Sequence, residues 1–526
     1  MIGDKLHKLR TSKKISSEEL AEKIGVSRQS IQKWESGKAN PTIENLVAIS
    51  ELFNVSLDYL CDNKNLQCYG GRLGCEIQPS FSKQPVCECY SKELSLEYRQ
   101  SYEEGKDIEK YRELFDAAAG MADGKYKDRI ADTLFDIVSQ APQRENFLYY
   151  EPSGIEAIRA GRSSCPLEMP MPDKEQLRDK ITGAWYGRIC GCLMGKPVEG
   201  IKRAELHKIL ERTNNYPMTR YIRREECTPE VTQGVKWNIG ERAFPQNFGK
   251  MPCDDDTNYM IMGYRILECF GRDFTGENVA QMWVSSQVKE AYCTAERVAF
   301  RNFVNGYLPP ESAEYKNPYR EWIGAQIRGD FYGYINPCNP GLAADMAYRD
   351  ASISHVKNGI YGEMWVSAMI SAAFGCDDCE KIIRRAMAEI PSTSRLYEAI
   401  SGVLDAFNSG MSEEKFFRDF HRRWNEESLH EWCHTISNAE IVAACLLYGR
   451  KNYGRSVGMA VEQGFDTDCN GATVGSVLGV VLGMSRLPRD FTDFVCDTLC
   501  SDMVGFNSVS ITEMADKTIL LMNKLG

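Results

Sequence analysis

Residues 464–479 read GFDTDCNGATVGSVLG. Asp466 and Asp468 stand at the head of a run of small and apolar residues, along which Gly471, Gly475, Gly479 and Gly483 recur every four positions. That period places the glycines on one helical face. Glycine inside a helix costs about 1 kcal/mol relative to alanine, so a face made of it needs a compensating gain, and close approach of a neighbouring helix backbone supplies one. The reading is a helix packed at backbone distance in a core, with Asp466 and Asp468 held rigidly at its start.

Some two hundred residues earlier, Cys253-Asp254-Asp255-Asp256-Thr257 precedes NYMIMGYRILECF, again a dense acidic cluster before an apolar helical run. Capping explains a lone aspartate at a helix start. Three adjacent carboxylates repel one another unless a cation or a proton intervenes, and hard divalent cations take oxygen ligands of this kind. Two such clusters point to one shared dinuclear site. From Lys174 onward most windows carry helical periodicity and few alternate as strands do, so the expected class is all-α.

The remaining composition sets bounds. The 526 residues suggest about three domains, or a large one with attachments. With 63 Lys+Arg against 74 Asp+Glu the net charge is −11, and 43% hydrophobic residues exclude wholesale disorder. The nearest candidate for a membrane span, Asn470–Ser485, is too short and too rich in glycine to cross one. The opening MIGDKLHKLR is charged where a secretory signal is apolar. A cytoplasmic protein with no membrane partner is expected, its 20 cysteines read mainly as small buried apolar residues. A structural zinc ion is not expected; the window to search for one is Cys68, Cys75, Cys87 and Cys89, with Cys376-x-x-Cys379 an isolated pair.

Residues 1–62 read as short helices. Ser16 and Glu19 form a capping box, Gly25 supplies a turn, a second helix starts at Ser27 and stops at Gly37, and Pro41 opens a third. Two short helices around a glycine turn match a helix-turn-helix. The spacing of Leu20, Ala21, Gly25, Val26, Ile31 and Trp34 is similar to the Cro/CI-type repressor family. That resemblance implies a DNA-binding domain whose recognition helix presents Ser27, Arg28, Gln29, Ser30 and Lys33 to the major groove of operator DNA. Residues 1–64 hold ten Lys/Arg and nine Asp/Glu, so phosphate neutralisation alone is weak and tight operator binding calls for a homodimer. Residues 63–92 lack periodicity and read as a linker. Residues 93–172 read as a small helical subdomain without chemistry of its own, and 173–526 as the domain that carries it.

Five segments in order make the large region resemble the ADP-ribosylglycohydrolase family, which includes the dinitrogenase-reductase-activating glycohydrolases. They are ITGAWYGRICGCLMGKPVEG (181–200), DDDTNYMIMGYRILE (254–268), GAQIR (324–328), SISHVKNGIYGEM (352–364) and GFDTDCNGATVGSVLG (464–479). The resemblance implies an orthogonal helical bundle with two Mg²⁺ or Mn²⁺ ions in a central cleft. It implies metal ligation by Asp254, Asp255, Asp256, Thr257, Asp466 and Asp468, with Thr257 able to reach a metal or to cap the helix. Three positions depart from the family pattern: Asp254 replaces a threonine, Cys469 a threonine or serine, and Cys192 a frequent aspartate. Cys469 is a soft ligand badly matched to Mg²⁺.

The implied chemistry is hydrolysis at a ribose anomeric carbon through an oxocarbenium-like state. Glu199 resembles the family's glutamate near the metals and is the candidate for acid–base work or water positioning, with Asp256 and Asp468 as alternative bases. Arg328, Asp330, His355, His434, Asn438 and Asn470 are candidates to line the substrate cleft. His430 and His434, four residues apart, form a possible zinc pair only if both face inward; histidines bonded at a helix start are the commoner case. The expected partner is an ADP-ribose-like or nucleoside small molecule or an ADP-ribosylated protein. The alternative is a transcriptional regulator whose hydrolase-like domain only senses such a ligand.

Overall fold

The computed structural model describes residues 2–13, 15–53, 55, 60, 86–236, 243–245 and 249–525. The chain divides into two compact units, residues 1–80 and 81–526. Cys68 and Cys75 of the zinc window, and most of the expected linker, lie outside the described residues.

The first unit holds α1 (Ile2–Ser12), α2 (Ser17–Ile24), α3 (Arg28–Glu35) and α4 (Ile43–Phe53). The capping box forms as its spacing predicts: Ser16 Oγ accepts from the Glu19 amide at 3.1 Å, and Glu19 Oε2 accepts from the Ser16 amide at 2.7 Å. Gly25 ends α2 at φ 73°, a left-handed conformation that glycine adopts without strain. Ser27 caps α3 through the Ser30 amide. Helix α4 begins at Ile43, two residues beyond the Pro41 start read from the sequence. Leu6, Leu20, Ala21, Ile31, Trp34, Ile49 and Phe53 close the core. Arg10 of α1 grips Glu35 of α3 with two bonds of 2.6 and 3.0 Å, fixing the first helix to the third.

The second unit is built from α5 (Leu94–Glu103), α6 (Lys125–Gln140), α7 (Lys174–Gly195), α8 (Asp255–Phe270), α9 (Lys357–Ala373), α10 (Thr435–Tyr448), α11 (Thr467–Leu482) and α12 (Ile511–Leu525), with shorter helices between them. A two-stranded antiparallel ribbon, β1 (Thr498–Cys500) with β2 (Ser508–Ser510), pairs Leu499 with Val509. Among the described residues no helix is long and apolar enough to cross a membrane.

Helices α7 and α11 set the architecture. Gly183, Gly187, Gly191 and Gly195 of α7 face Gly479, Gly475, Gly471 and Thr467 of α11 in antiparallel order. A methyl group on Gly187 would lie 2.3 Å from the Gly475 carbonyl oxygen, and one on Gly475 would lie 2.2 Å from that of Gly187. The glycine face of α11 thus meets a matching face on α7, and the two backbones touch. The last turn of α7 is thereby laid against the first turn of α11.

Val86–Lys92, expected as linker, form two 3₁₀ turns, and Cys87 packs on Ala295, Val298, Tyr319 and Trp322. Helices α5 and α6 keep a small core of their own around Leu94, Phe115 and Leu134. They are nevertheless joined to the bundle by buried polar contacts: Arg320 with Glu97 at 3.0 Å, and Gln100 to Glu321 at 2.7 Å. A third contact, Arg395 with Glu151 at 2.7 Å, ties in the segment after α6. Burying such groups is tolerable only when each is paired, so this segment folds as part of the same unit rather than apart from it.

Candidate metal centre

The two acidic clusters meet. Single ligand atoms from Cys192, Asp254, Asp256 and Asp468 lie within 4.8 Å of one another, as do atoms from Asp466, Asp468 and Cys469. All six side chains are buried. Asp254 is the N-cap of α8 and accepts the Asp256 amide at 2.9 Å, so capping accounts for one of its oxygens. Asp466 sits at the corresponding position of α11 and makes no capping bond. Asp256 Oδ2 and Asp468 Oδ1 are buried without a hydrogen-bond partner. Orphaned carboxylate oxygens in a dense acidic cluster are costly without a cation or a proton, and an oxygen-rich donor set of this kind fits a divalent ion.

Two cations hold the cluster from behind. Arg188, fully buried on α7, donates to Asp256 Oδ1 and to Asp330 Oδ2, each at 2.8 Å, and to the Asp256 and Ile327 carbonyls. Lys196, one residue past α7, bonds Asp254. Neither belongs to the acidic motifs. The available signal is a lone arginine within the small and apolar stretch Ile181–Gly195, and a lysine directly after it.

Electrostatics follow from this crowding. Burial pushes the half-buried Asp255 up to about 7, reinforced by Asp254 and Asp468. Burial, with Glu199 and Asp254, pushes Asp468 up to about 8. Asp466 and Asp256 are also raised, chiefly by burial, despite Arg188 beside Asp256. For Asp254 burial acts upward, but the Lys196 ammonium together with the hydrogen bonds to the carboxylate holds it below its ordinary value. The folded, ion-free protein therefore keeps protons on Asp255 and Asp468 that the unfolded chain releases near pH 4. This stabilisation is complete below the unfolded value and is lost as pH rises through about 7 and 8. Thermal melts in EDTA are expected to fall between pH 6 and pH 9 by an amount on the order of a few kcal/mol, and excess Mn²⁺ is expected to restore them. Greater stability at pH 9 in EDTA would contradict this arrangement.

The other sequence candidates are distributed as follows. Thr257 is buried and donates its hydroxyl to the Asp254 carbonyl at 3.2 Å, the local bond of a helix start. Glu199 follows the 3₁₀ turn Lys196–Val198, half-buried, with its charge acting on Asp466 and Asp468. Asn470 donates to Asn438 at 2.7 Å, and Asn438 donates to the Trp432 and His434 carbonyls, which leaves Asn470 Oδ1 buried and unpartnered. Arg328 has its guanidinium paired, whereas Asp330 keeps Oδ1 buried and unpartnered. Arg328 is buried among Asp350, Glu296 (3.0 Å) and Glu363 (3.5 Å), and Asp330 holds Arg188. His355 is fully buried, bonded to Ser354 at 2.8 Å, with its pKa driven down by burial. His434 caps α10 through the Ile436 amide, and burial lowers it to about 3.

His430 and His434 gather with Glu103 in a second cluster. The Trp322 indole, which can only donate, bonds His430 Nδ1 at 3.0 Å, so His430 Nε2 carries the proton and donates to Glu103 at 2.8 Å. A metal on that nitrogen would force a proton onto Nδ1 against the indole N–H. His430 thus ties α5 to the bundle by hydrogen bonds, and His434 Nε2 is left buried and unpartnered.

Residues 173–524 match the family described as ADP-ribosylglycohydrolase. The chain belongs to the ADP-ribosylglycohydrolase family. Residues 6–60 of this ADP-ribosylglycohydrolase-family protein match a helix-turn-helix family. Its N-terminal part is similar to the HTH-type transcriptional activator BcrR of Enterococcus faecalis, 48% identical over 64 residues that make up 12% of this chain and 31% of that protein. It is also similar to the SPbeta prophage-derived uncharacterized HTH-type transcriptional regulator YonR of Bacillus subtilis (strain 168), 39% identical over 67 residues, 13% of this chain and 62% of that protein. The chain thus spans about a third of the length of the first relative and under two-thirds of the second. A solved structure described as an ADP-ribosylglycohydrolase-related protein complex aligns with 67% of this chain and 99% of its own at 16% identity, with a TM-score of 0.42. A helix-turn-helix domain of the kind found in transcriptional regulators is therefore fused to an ADP-ribosylglycohydrolase domain.

Proposed function

We propose that the second unit is a divalent-metal-dependent hydrolase of a ribosyl N- or O-glycosidic bond, and that the first unit brings it to operator DNA. The observation that carries the catalytic half is the meeting of Asp254, Asp256 and Asp468 from distant stretches of chain, with one buried oxygen unpartnered on each of Asp256 and Asp468. Asp254, Asp255, Asp256, Asp466 and Asp468 would hold two ions of the Mg²⁺ or Mn²⁺ class. Such ions would supply charge that orients the ribose hydroxyls and a water. Arg188 and Lys196 keep the carboxylates in register, and Glu199, reaching the cluster from the turn after α7, takes the water's proton. Glu199→Gln is expected to lower kcat by about 10²–10⁴ with KM and Mn²⁺ affinity little changed; an unaltered kcat would remove it from the chemistry. The substrate class is tested by release of ADP-ribose from ADP-ribosylated peptides and from small ADP-ribose conjugates. No turnover in the presence of tight Mn²⁺ binding and ligand-dependent operator binding would favour a ligand-sensing regulator. The Lys196 ammonium inside the acidic cluster is the observation on that side.

On the first unit, Ser27 and Ser30 are joined to each other at the cap of α3, and Arg28 is paired with Glu18 at 2.6 Å. Gln29 and Lys33 stand exposed one turn apart, and they carry the reading of base and phosphate. Lys33→Ala is expected to weaken all DNA sequences alike and to reduce the salt slope by about 1. Gln29→Ala is expected to cost about 1–3 kcal/mol at the preferred site only. Equal losses on all sequences for both would contradict the assignment.

A further inference from the structure

The donor set of the centre is not made of oxygen alone. Cys192 lies on the last turn of α7, fully buried, and its sulfur is within 4.8 Å of ligand oxygens of Asp254, Asp256 and Asp468. It is brought there by the backbone contact of Gly191 and Gly195 with Gly471 and Thr467. Asp256 Oδ1 is held by Arg188, leaving Oδ2 unpartnered, and Asp468 Oδ1 is unpartnered as well. Asp254 is shared with the Asp256 amide and Lys196. This group therefore offers four protein donors, one sulfur and three carboxylates, with Lys196 already on Asp254 and Arg188 on Asp256.

Mg²⁺ prefers near-octahedral oxygen ligands, keeps several waters and gains little from a thiolate. Zn²⁺ and Co²⁺ bind thiolate and carboxylate together, and four protein donors are the number that a closed zinc centre takes. The adjacent ammonium weakens a purely ionic attraction more than it weakens a bond with covalent character to sulfur. We propose that the position formed by Cys192, Asp254, Asp256 and Asp468 takes a borderline, thiophilic divalent ion of the Zn²⁺/Co²⁺ class through the Cys192 thiolate. The inference rests on the metal-dependent reading above and names the ion class for one of its two positions. On binding, the Cys192 S–H bond breaks, the proton passes to solvent and the sulfur lone pair forms the bond to the ion; nothing is oxidised or reduced.

The test is titration of the full-length, metal-stripped protein with Co²⁺ alone, followed by absorption. A near-ultraviolet thiolate-to-Co²⁺ charge-transfer band is expected, and C192S is expected to lose it while keeping its melting temperature. Zn²⁺ affinity should fall at least about 100-fold in C192S, and Mn²⁺ affinity should change less than about threefold. Co²⁺ bound without that band, or a band lost only in C469S, would overturn the inference while leaving the metal-dependent reading in place. Failure of Mn²⁺, Mg²⁺, Co²⁺ and Zn²⁺ alike to bind would overturn both.

Discussion

Gly475→Ala is expected to destabilise the second unit by about 3 kcal/mol or more, although the substitution raises helix propensity by about 1 kcal/mol. The added methyl group would lie 2.2 Å from the Gly187 carbonyl oxygen and 3.0 Å from its carbon. Both are backbone atoms, so no rotamer change relieves the clash and α7 must move away from α11. That displacement also separates Cys192 and Lys196 from Asp468, so Mn²⁺ affinity should fall together with stability. Gly187→Ala should behave alike, because its methyl would meet the Gly475 carbonyl oxygen at 2.3 Å. Gly402 provides the opposite sign: it lies in the helix Arg395–Asn408 with no atom within 4 Å of an added methyl. Gly402→Ala should stabilise by about 0.4–1 kcal/mol. Denaturant melts of the three variants check the prediction; equal effects at 475 and 402 would mean that the helices are not in backbone contact.

Arg188→Met is expected to cost about 3–5 kcal/mol. The methionine fills most of the volume, but Asp256 and Asp330 lose the cation that both contact at 2.8 Å. Two buried carboxylates are then left without their cation, and at least one must take up a proton. Arg188→Lys keeps the charge but not the planar fork that bridges Asp256, Asp330 and the Ile327 carbonyl, so a smaller loss is expected. Adding Asp330→Asn to Arg188→Met should recover part of the loss, since one uncompensated charge is removed. The check is a double-mutant cycle read by chemical denaturation. Strict additivity would show that Arg188 and Asp330 act independently.

The fold class and the acidic centre were legible in the sequence because each rests on a local pattern. Asp466 and Asp468 before a glycine-striped run, and Asp254–Asp256 before an apolar one, are dense enough to stand out, and the structure brings them together. Capping was a real competitor: it accounts for Asp254 but not for Asp466. Half of the glycine contact was read. The stripe on α11 stood alone in a run of small residues, whereas Gly183, Gly187, Gly191 and Gly195 are interleaved with Trp185, Arg188 and Cys192, which hides the period. Arg328, Asp330 and His355 were expected at a cleft because they lie within recognisable motifs. Charge and motif membership do not reveal the partner of a side chain, and here the partners are Asp350, Arg188 and Ser354, with Asp330 Oδ1 and His355 Nε2 left buried and unpartnered. For the same reason the positioning roles of Arg188 and Lys196 were not readable: each depends on contacts with residues some sixty positions or more away.

The central claim is that carboxylates from two distant stretches jointly hold divalent ions. Mn²⁺ binding followed by electron paramagnetic resonance on the full-length protein, Asp256→Asn and Asp468→Asn tests it most directly. The account predicts saturable binding to the parent protein, with each single substitution, one from α8 and one from α11, weakening it at least about 100-fold while the fold is retained by circular dichroism. Undiminished Mn²⁺ binding by either variant would contradict it.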